Sequence, residues 1–600
     1  MRKKAFIGIL ILIPVLMTVL YFLIIQDKKP VFHENQEETG EIVSADIPAS
    51  PTPVEIIPPT FPDLVTELET GIQTIQEEGL LMLCDEENAL GYYSNLVLAA
   101  RKEKAGKEAS GYYRSALALY PSSEIQLKLA SLLFQEGKTE EAEKEYLLIL
   151  PEDTTMQALT QINTNPEKIS EALFGKKAWK ALTEYLEPII DIDSDQNENA
   201  SLLRHYAIAL AEQGEFKQAL PFFKKLYALE STDSQVAWYY GRCLEATGQG
   251  TSAEKIYAAI GEKGAYRRGI ILQKRGKTAE AAEAFAASKE GISLWQAARI
   301  WDVAGDMEKA VDAYTRVADT TSPYQDDAAY RAYILANRLG KTNTDKLLMI
   351  LSKYPAWMAR LNMEPEMPDL DEVAYDKPQY LNQAELYEKD GYADAAAIEL
   401  AIGAKNTDLG EKLALGDWYL ARGEYYNAIA WGIRSLNEKP TKKGYTLAYP
   451  KAFEELVLTA AEKNDLEAEL IWAVMREESH CRYDAVSRAG AMGLMQIMPP
   501  TGKDIASRLG EAYTDNDLLI PETSIRFGAF YIESMLRMFE GDIDKAMAAY
   551  NGGGGNVKKW MESSFGTTNE DFPTAITFTE TQEYITKVRN SYYVYQWLYQ

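Results

Sequence analysis

The run Leu470-Ile471-Trp472-Ala473-Val474-Met475-Arg476-Glu477-Glu478-Ser479 reads as a helix that puts one carboxyl group where carboxyl groups seldom sit. Leu470, Ile471, Val474 and Met475 form one apolar stripe. At about 100° per residue, Glu478 falls close to the centre of that stripe, and Glu477 lies about 90° away, toward solvent. A carboxyl in such a setting loses hydration, which disfavours its charged form and raises its pKa, the condition a general acid needs near neutral pH. From the helix alone, two blander readings stand beside the catalytic one: a structural glutamate held by hydrogen bonds, and a frayed helix end that leaves Glu478 exposed.

The segment that follows, Ser487-Arg488-Ala489-Gly490-Ala491-Met492-Gly493-Leu494-Met495-Gln496-Ile497-Met498-Pro499, shifts the balance toward chemistry. Its small residues let backbone approach a ligand, and Gln496 offers both a donor and an acceptor. Such a loop suits sugar hydroxyls or an acetamido group.

Over about its last 150 residues the chain resembles the soluble lytic transglycosylases, whose fold is related to goose-type lysozyme. Tyr449-Pro450-Lys451-Ala452-Phe453 matches the family's entry, Arg476-Glu477-Glu478-Ser479 its catalytic stretch, and Gly493-Leu494-Met495-Gln496-Ile497-Met498-Pro499 its sugar-binding loop. Ala549-Tyr550-Asn551-Gly552-Gly553-Gly554-Gly555-Asn556-Val557 looks like its alanine-tyrosine-asparagine turn, and Phe578-Thr579-Glu580-Thr581 with Tyr584 looks like its last motif. The resemblance implies Glu478 as acid and base, with Ser487, Gln496, Met498, Tyr550 and Glu580 lining a glycan groove and Asn551 fixing its turn. Tyr550 is one of 37 tyrosines, so only its motif singles it out. The pattern departs from the family's at Gln582, where arginine is usual, at Thr577, where proline is frequent, and at Gly552 and Gly554, where alanine and proline are frequent. His480 and Cys481 match no functional family position and read as neighbours of the acid.

The reaction so implied uses one glutamate twice. Glu478 protonates the oxygen linking N-acetylmuramic acid to N-acetylglucosamine while the substrate's acetamido group stabilises the cation-like carbon; the carboxylate then takes the proton of the muramoyl 6-hydroxyl, which closes a 1,6-anhydro ring. No cofactor and no metal are needed. A two-carboxylate hydrolase would need a partner about 5 to 10 Å away. Glu580 and Asp484 are the only candidates considered, and the resemblance implies neither is a nucleophile. Two alternatives stay open: a muramidase that hydrolyses the same bond, and a scaffold that binds glycan and partner proteins without cutting.

What must position this site is a long helical array. Between 63 and 445 one spacing recurs: a small residue, an apolar one three positions on, an alanine twelve on and an aromatic four later. It reads Ala207, Leu210, Ala219, Phe223; Gly241, Leu244, Ala253, Tyr257; Gly269, Leu272, Ala281, Phe285; and Ala298, Trp301, Ala310, Tyr314, with fainter copies at Ala130/Ala142/Tyr146, Ala384/Ala396 and Gly416/Tyr419/Ala428. Paired helices approach closely where a small side chain permits, and the aromatic fills the groove against the neighbouring hairpin. Gly137, Gly214 and Gly423 sit in the turns, where a left-handed cap is wanted. The pattern looks like tetratricopeptide repeats, so the expected fold is all-α: a tetratricopeptide-like helical solenoid followed, over 446–600, by a lysozyme-like, mainly helical catalytic domain. Such an array can frame a transglycosylase or hold cell-wall protein partners.

Before the array, basic Arg2, Lys3 and Lys4 precede an apolar run over 5–25 that spans roughly 30 Å as a helix and is expected to be a transmembrane signal-anchor over 1–25. A Pro-rich, acidic linker over 26–62 follows, so the expectation is a single-pass cell-membrane protein with its bulk on the cell-wall side. The formal charge of −28 argues against nucleic acid as a partner. Three scattered cysteines and three histidines give neither a disulfide framework nor a cluster of imidazole ligands.

Overall fold

The computed structural model describes residues 58–190, 200–364, 370–563, 568 and 571–599, all within the compact unit Pro58–Gln600. Among the described residues every regular element is helical, and extended pairing is limited to isolated bridges such as Val486 with Met492 and Met492 with Ile497. The all-α architecture expected from the periodicity is what forms. Helix Phe61–Thr70 already takes in Phe61 and Pro62, which the composition assigned to the linker. Thr60 and Asp63 cap one another there, and Phe61 is buried with its ring 4.7 Å from Tyr387 and 5.1 Å from Tyr392.

The expected single-pass location at the cell membrane is overturned. Among the described residues no helix is long and apolar enough to cross a membrane. The longest, Thr579–Tyr599, carries Glu580, Glu583, Lys587 and Arg589, charges that a hydrocarbon core does not accept. The anchor expected over 1–25, and the linker up to 57, lie outside the described residues.

Successive helices pair as hairpins whose contact points are the small residues of the repeat. A β-carbon added at Gly241 would lie 2.6 Å from the Tyr257 ring, and one at Gly269 would lie 2.5 Å from the Phe285 ring. The repeat aromatic therefore covers the small residue of its own hairpin. Phe223 reaches the next hairpin, stacking on Tyr239 at 5.3 Å. Gly137, Gly214 and Gly423 take the left-handed backbone that the turns require, with φ of 76°, 84° and 72°.

The array meets itself and then the carboxy-terminal region. The Ala89 N–H donates to the buried Glu399 carboxylate at 2.9 Å, tying the helix Ala89–Lys104 to Ala393–Gly403. Farther on, helices Gln325–Arg338 and Pro355–Arg360 carry the charges that grip the carboxy-terminal part. Buried Arg331 holds Asp302 through two hydrogen bonds of 2.7 and 3.1 Å and also pairs with Asp571, which Arg338 reaches at 3.1 Å. Arg360 pairs with Asp544 at 2.8 Å, and the Ala356 N–H donates to Asn590 at 3.0 Å. At the junction near 445, the core of the carboxy-terminal part extends back to Ile429 and takes in Tyr425 and Ile433, so the last array helices share that core.

Candidate active site

Helix Ala468–Ser479 is the axis of the site. Leu470, Ile471, Trp472, Ala473, Val474 and Met475 are all buried, which fixes the rotation of the helix about its axis. His480 ends it in a left-handed conformation with φ of 48°, and Cys481, buried, continues at φ 61°. On the last turn Glu478 is half-buried. Burial pushes its carboxyl up to about 8; the Tyr584 hydroxyl facing it opposes that shift, and the charges of Glu580 and Glu477 add to it. At neutral pH the group therefore carries a proton it can give away. A frayed helix end does not fit this setting.

The loop that follows is closed against the helix by its own backbone. Ser479 Oγ donates to the Leu494 carbonyl at 2.8 Å, and Met495 N–H donates to Ser524 Oγ at 3.2 Å. Gly493 has φ 76°, and a β-carbon there would lie 1.8 Å from the Leu518 carbonyl oxygen, so no other residue fits. Gln496 also takes a left-handed backbone, φ 45°, and its amide donates to the Gly493 and Ala485 carbonyls at 2.8 and 3.2 Å. Both amide hydrogens are thus spent on the loop, leaving the amide oxygen to accept from a ligand. Ser487 Oγ accepts from Ala491 N–H at 2.9 Å, closing the same loop, and Met498 is exposed where the next helix begins.

Tyr550 and Glu580 come to Glu478 from two other elements. Tyr550 ends helix Ile543–Gly552, donates its hydroxyl to the Met495 carbonyl at 2.8 Å and packs 5.0 Å from the Tyr531 ring. Burial first, and then the Glu478 charge, hold its phenol well above the ordinary range. Asn551 accepts from Thr581 Oγ1 at 2.6 Å and so pins the glycine turn to helix Thr579–Tyr599. Glu580 is exposed in the first turn of that helix, and Tyr584, one turn later, is buried with its hydroxyl toward Glu478. The i, i+4 spacing of Glu580 and Tyr584 was the available signal for Tyr584 as a site residue. Asp484 is exposed and paired with Arg482 at 3.3 Å, on the outside of the loop.

Two sequence expectations change here. Glu477 does not point to solvent: the helix Thr579–Tyr599 covers that flank, and the carboxylate is enclosed with Arg476 and Ser591. Gln582, where the family pattern has arginine, is buried and bonded to Asp327 of the array, so it belongs to the contact between array and catalytic region.

The geometry defines a class: an all-α protein with a tetratricopeptide-like solenoid and a lysozyme-like domain built around one half-buried, protonated glutamate. Comparison with known proteins bears out the fold. Residues 455–572 match the family model "Transglycosylase SLT domain", and 97–156 and 210–265 match tetratricopeptide repeat models. The soluble lytic murein transglycosylase of Escherichia coli K12 is 32% identical over 152 residues, 24% of this chain and 24% of that protein. That of Salmonella typhimurium is 32% identical over 143 residues, 23% and 22% respectively, so the match spans about a quarter of the curated relatives' length. Among solved structures, an inactive glutamate-to-glutamine mutant of the lytic transglycosylase Slt from Pseudomonas aeruginosa aligns over 89% of this chain and 91% of its own, with 19% identity and a TM-score of 0.56. The helical array and the carboxy-terminal domain thus share one fold with that enzyme.

Proposed function

We propose that the chain is a peptidoglycan lytic transglycosylase. It cleaves the β-1,4 bond between N-acetylmuramic acid and N-acetylglucosamine and leaves a 1,6-anhydro ring on the muramoyl residue, with Glu478 as general acid and then as base. The observation that carries this reading is the Glu478 carboxyl, held protonated up to about pH 8 by burial. In the first step its proton goes to the glycosidic oxygen as the C1–O bond breaks. In the second the carboxylate takes the proton of the 6-hydroxyl as that oxygen bonds to C1, so no water is consumed and the acid is regenerated. Glu580, exposed at the rim, acts on this cycle as a charge that keeps the proton on Glu478 and not as a nucleophile.

In the same reading Gln496, Ser487, Met498, Tyr550, Asn551 and Glu580 line or support the glycan groove, residues 446–600 are the catalytic domain, and the array over 63–445 orients the glycan or holds cell-wall protein partners. Support comes from the match to the transglycosylase domain and from relatives named lytic murein transglycosylases. The test is mass spectrometry of the products released from purified peptidoglycan by the chain and by its Glu478→Gln variant. Muropeptides lighter by one water, absent with the variant, are the expected result. Fully hydrated products mean a muramidase, and no products from the unaltered chain mean a glycan-binding scaffold.

A further inference from the structure

The carboxylate next to the catalytic one has a setting of its own. Glu477 Oε1 accepts from Ser591 Oγ at 2.5 Å and pairs with the Arg476 guanidinium. Arg476, also buried, donates through Nε to the Ala448 carbonyl at 2.9 Å, reaches Ser591 Oγ at 3.4 Å and lies 4.1 Å from the centre of the Tyr449 ring. Three segments meet at this pair: the end of array helix Lys442–Ala448, the catalytic helix and the helix Thr579–Tyr599 that carries Glu580 and Tyr584. An unpaired buried guanidinium at such a junction would be strongly unfavourable, and Glu477 neutralises it.

We propose that Glu477 is a positioning residue for the reaction: locked as an anion by Arg476 and Ser591, it sets a fixed negative charge behind Glu478 and joins the catalytic helix to the helix that faces it. The inference rests on Glu478 being the acid. Glu477 faces Arg476, His480 and the buried Cys481 thiol at its own helix end, Tyr449 at the array's end, and Ser591 and Tyr584 of the last helix. Glu478 faces Tyr584, Glu580 and Tyr550. Burial works to raise Glu477, yet Arg476, Ser591 and His480 outweigh it and hold the carboxyl below its usual range. Its neighbour is pushed the opposite way, and the Glu477 charge is one of the causes. Adjacent carboxylates held apart in this manner have different tasks: one stays an anion so that the other keeps its proton.

The test is the pH profile of anhydromuropeptide release by the full chain and its Glu477→Gln and Glu477→Asp variants, with thermal unfolding recorded on each. Activity requires protonated Glu478, so it falls as pH rises through that group's pKa. Removing the Glu477 charge must lower this pKa and move the alkaline limb toward acid by roughly half a unit or more. Glu477→Asp, which draws the charge back by one methylene, must move it the same way by less, and this variant carries the test alone if Glu477→Gln fails to fold. A limb that stays in place while activity falls equally at all pH values would make Glu477 purely structural and overturn the proposal. Absence of anhydro products from the unaltered chain would instead remove the reading of Glu478 on which it rests.

Discussion

Two helix pairs in this molecule meet in opposite ways. In the array hairpin Ala265–Lys274 with Thr278–Ala286, Gly269 lies under the Phe285 ring, an apolar contact. Where helix Ala468–Ser479 meets helix Thr579–Tyr599, the contact carries Arg476, Glu477, Ser591, Glu478 and Tyr584. The first arrangement gains stability from close packing, which can be repeated hairpin after hairpin because it needs only a small residue and a ring. The second places ionisable groups in a desolvated setting that disfavours their charged forms. Substitutions at the two contacts should therefore differ in what they change: activity and pH response in one, stability alone in the other.

The largest expected effect is at the polar contact. Glu478→Gln keeps the shape of the side chain and removes its transferable proton, so product release from peptidoglycan should fall by about a thousandfold or more at the optimum pH. A loss below about tenfold would mean that another group supplies the proton. Next comes the polar contact between array and catalytic region. Arg331→Ala leaves buried Asp302 without its cation and Asp571 with Arg338 alone, which should lower unfolding stability by about 3–5 kcal/mol in a urea titration. The exposed pair of Lys309 and Glu283, 3.0 Å apart on the array surface, is the control, and breaking it should leave the midpoint where it was.

These two contacts were unequally legible in the amino-acid sequence. The array hairpins announce themselves because both partners of each contact, such as Gly269 and Phe285, lie within one repeat and recur at a fixed spacing. Glu478 was legible for a related reason: its helix carries its own apolar stripe, and that stripe says which face is inside. Glu477 was misplaced because the element that buries it, through Ser591, lies 114 residues farther on and nothing in the local pattern indicates it. The same holds for Arg331 with Asp571, 240 positions apart, and for Ala89 with Glu399, 310 apart. Gln582 appeared as a departure from a cleft motif; it is explained only by Asp327, a residue of the array.

The desolvation of Glu478 has a measurable consequence for stability. Its carboxyl binds a proton more tightly in the folded chain, up to about 8, than at the ordinary value of 4.5. A raised folded pKa gives stability that is fully present below the unfolded pKa and is lost as pH rises through the folded one. Glu478→Gln has no such proton to lose, so below about pH 4.5 the variant and the unaltered chain should differ little on this account. Above it the variant should gain in relative stability, reaching on the order of 3 kcal/mol at pH 7, the product of 2.5 pH units and 1.36 kcal/mol per unit. Urea midpoints measured across pH 4 to 8, a range set by the two pKa values, would show it. A difference that does not change with pH would contradict the buried, protonated state.

At the apolar contact the effects should be smaller and independent of pH. A β-carbon at Gly269 would fall 2.5 Å from two atoms of the fully buried Phe285 ring, well inside van der Waals contact, so the ring or the helix must move. Replacing a helical glycine by alanine gains about 1 kcal/mol in helix propensity, whereas overpacking of a rigid core is unfavourable by about 1–3 kcal/mol. The second effect should prevail, making Gly269→Ala less stable by on the order of 1 kcal/mol. Gly250→Ala supplies the opposite case within the same array. Its nearest neighbour would be Ile271 at 4.0 Å and its backbone is not left-handed, so only the propensity gain remains and stability should rise by several tenths of a kcal/mol. Opposite signs for the two glycines, with product release unchanged in both, would show that the array's small residues are required by hairpin contact alone. Equal signs would mean that the Phe285 ring yields easily and that the hairpins are held by something other than close approach.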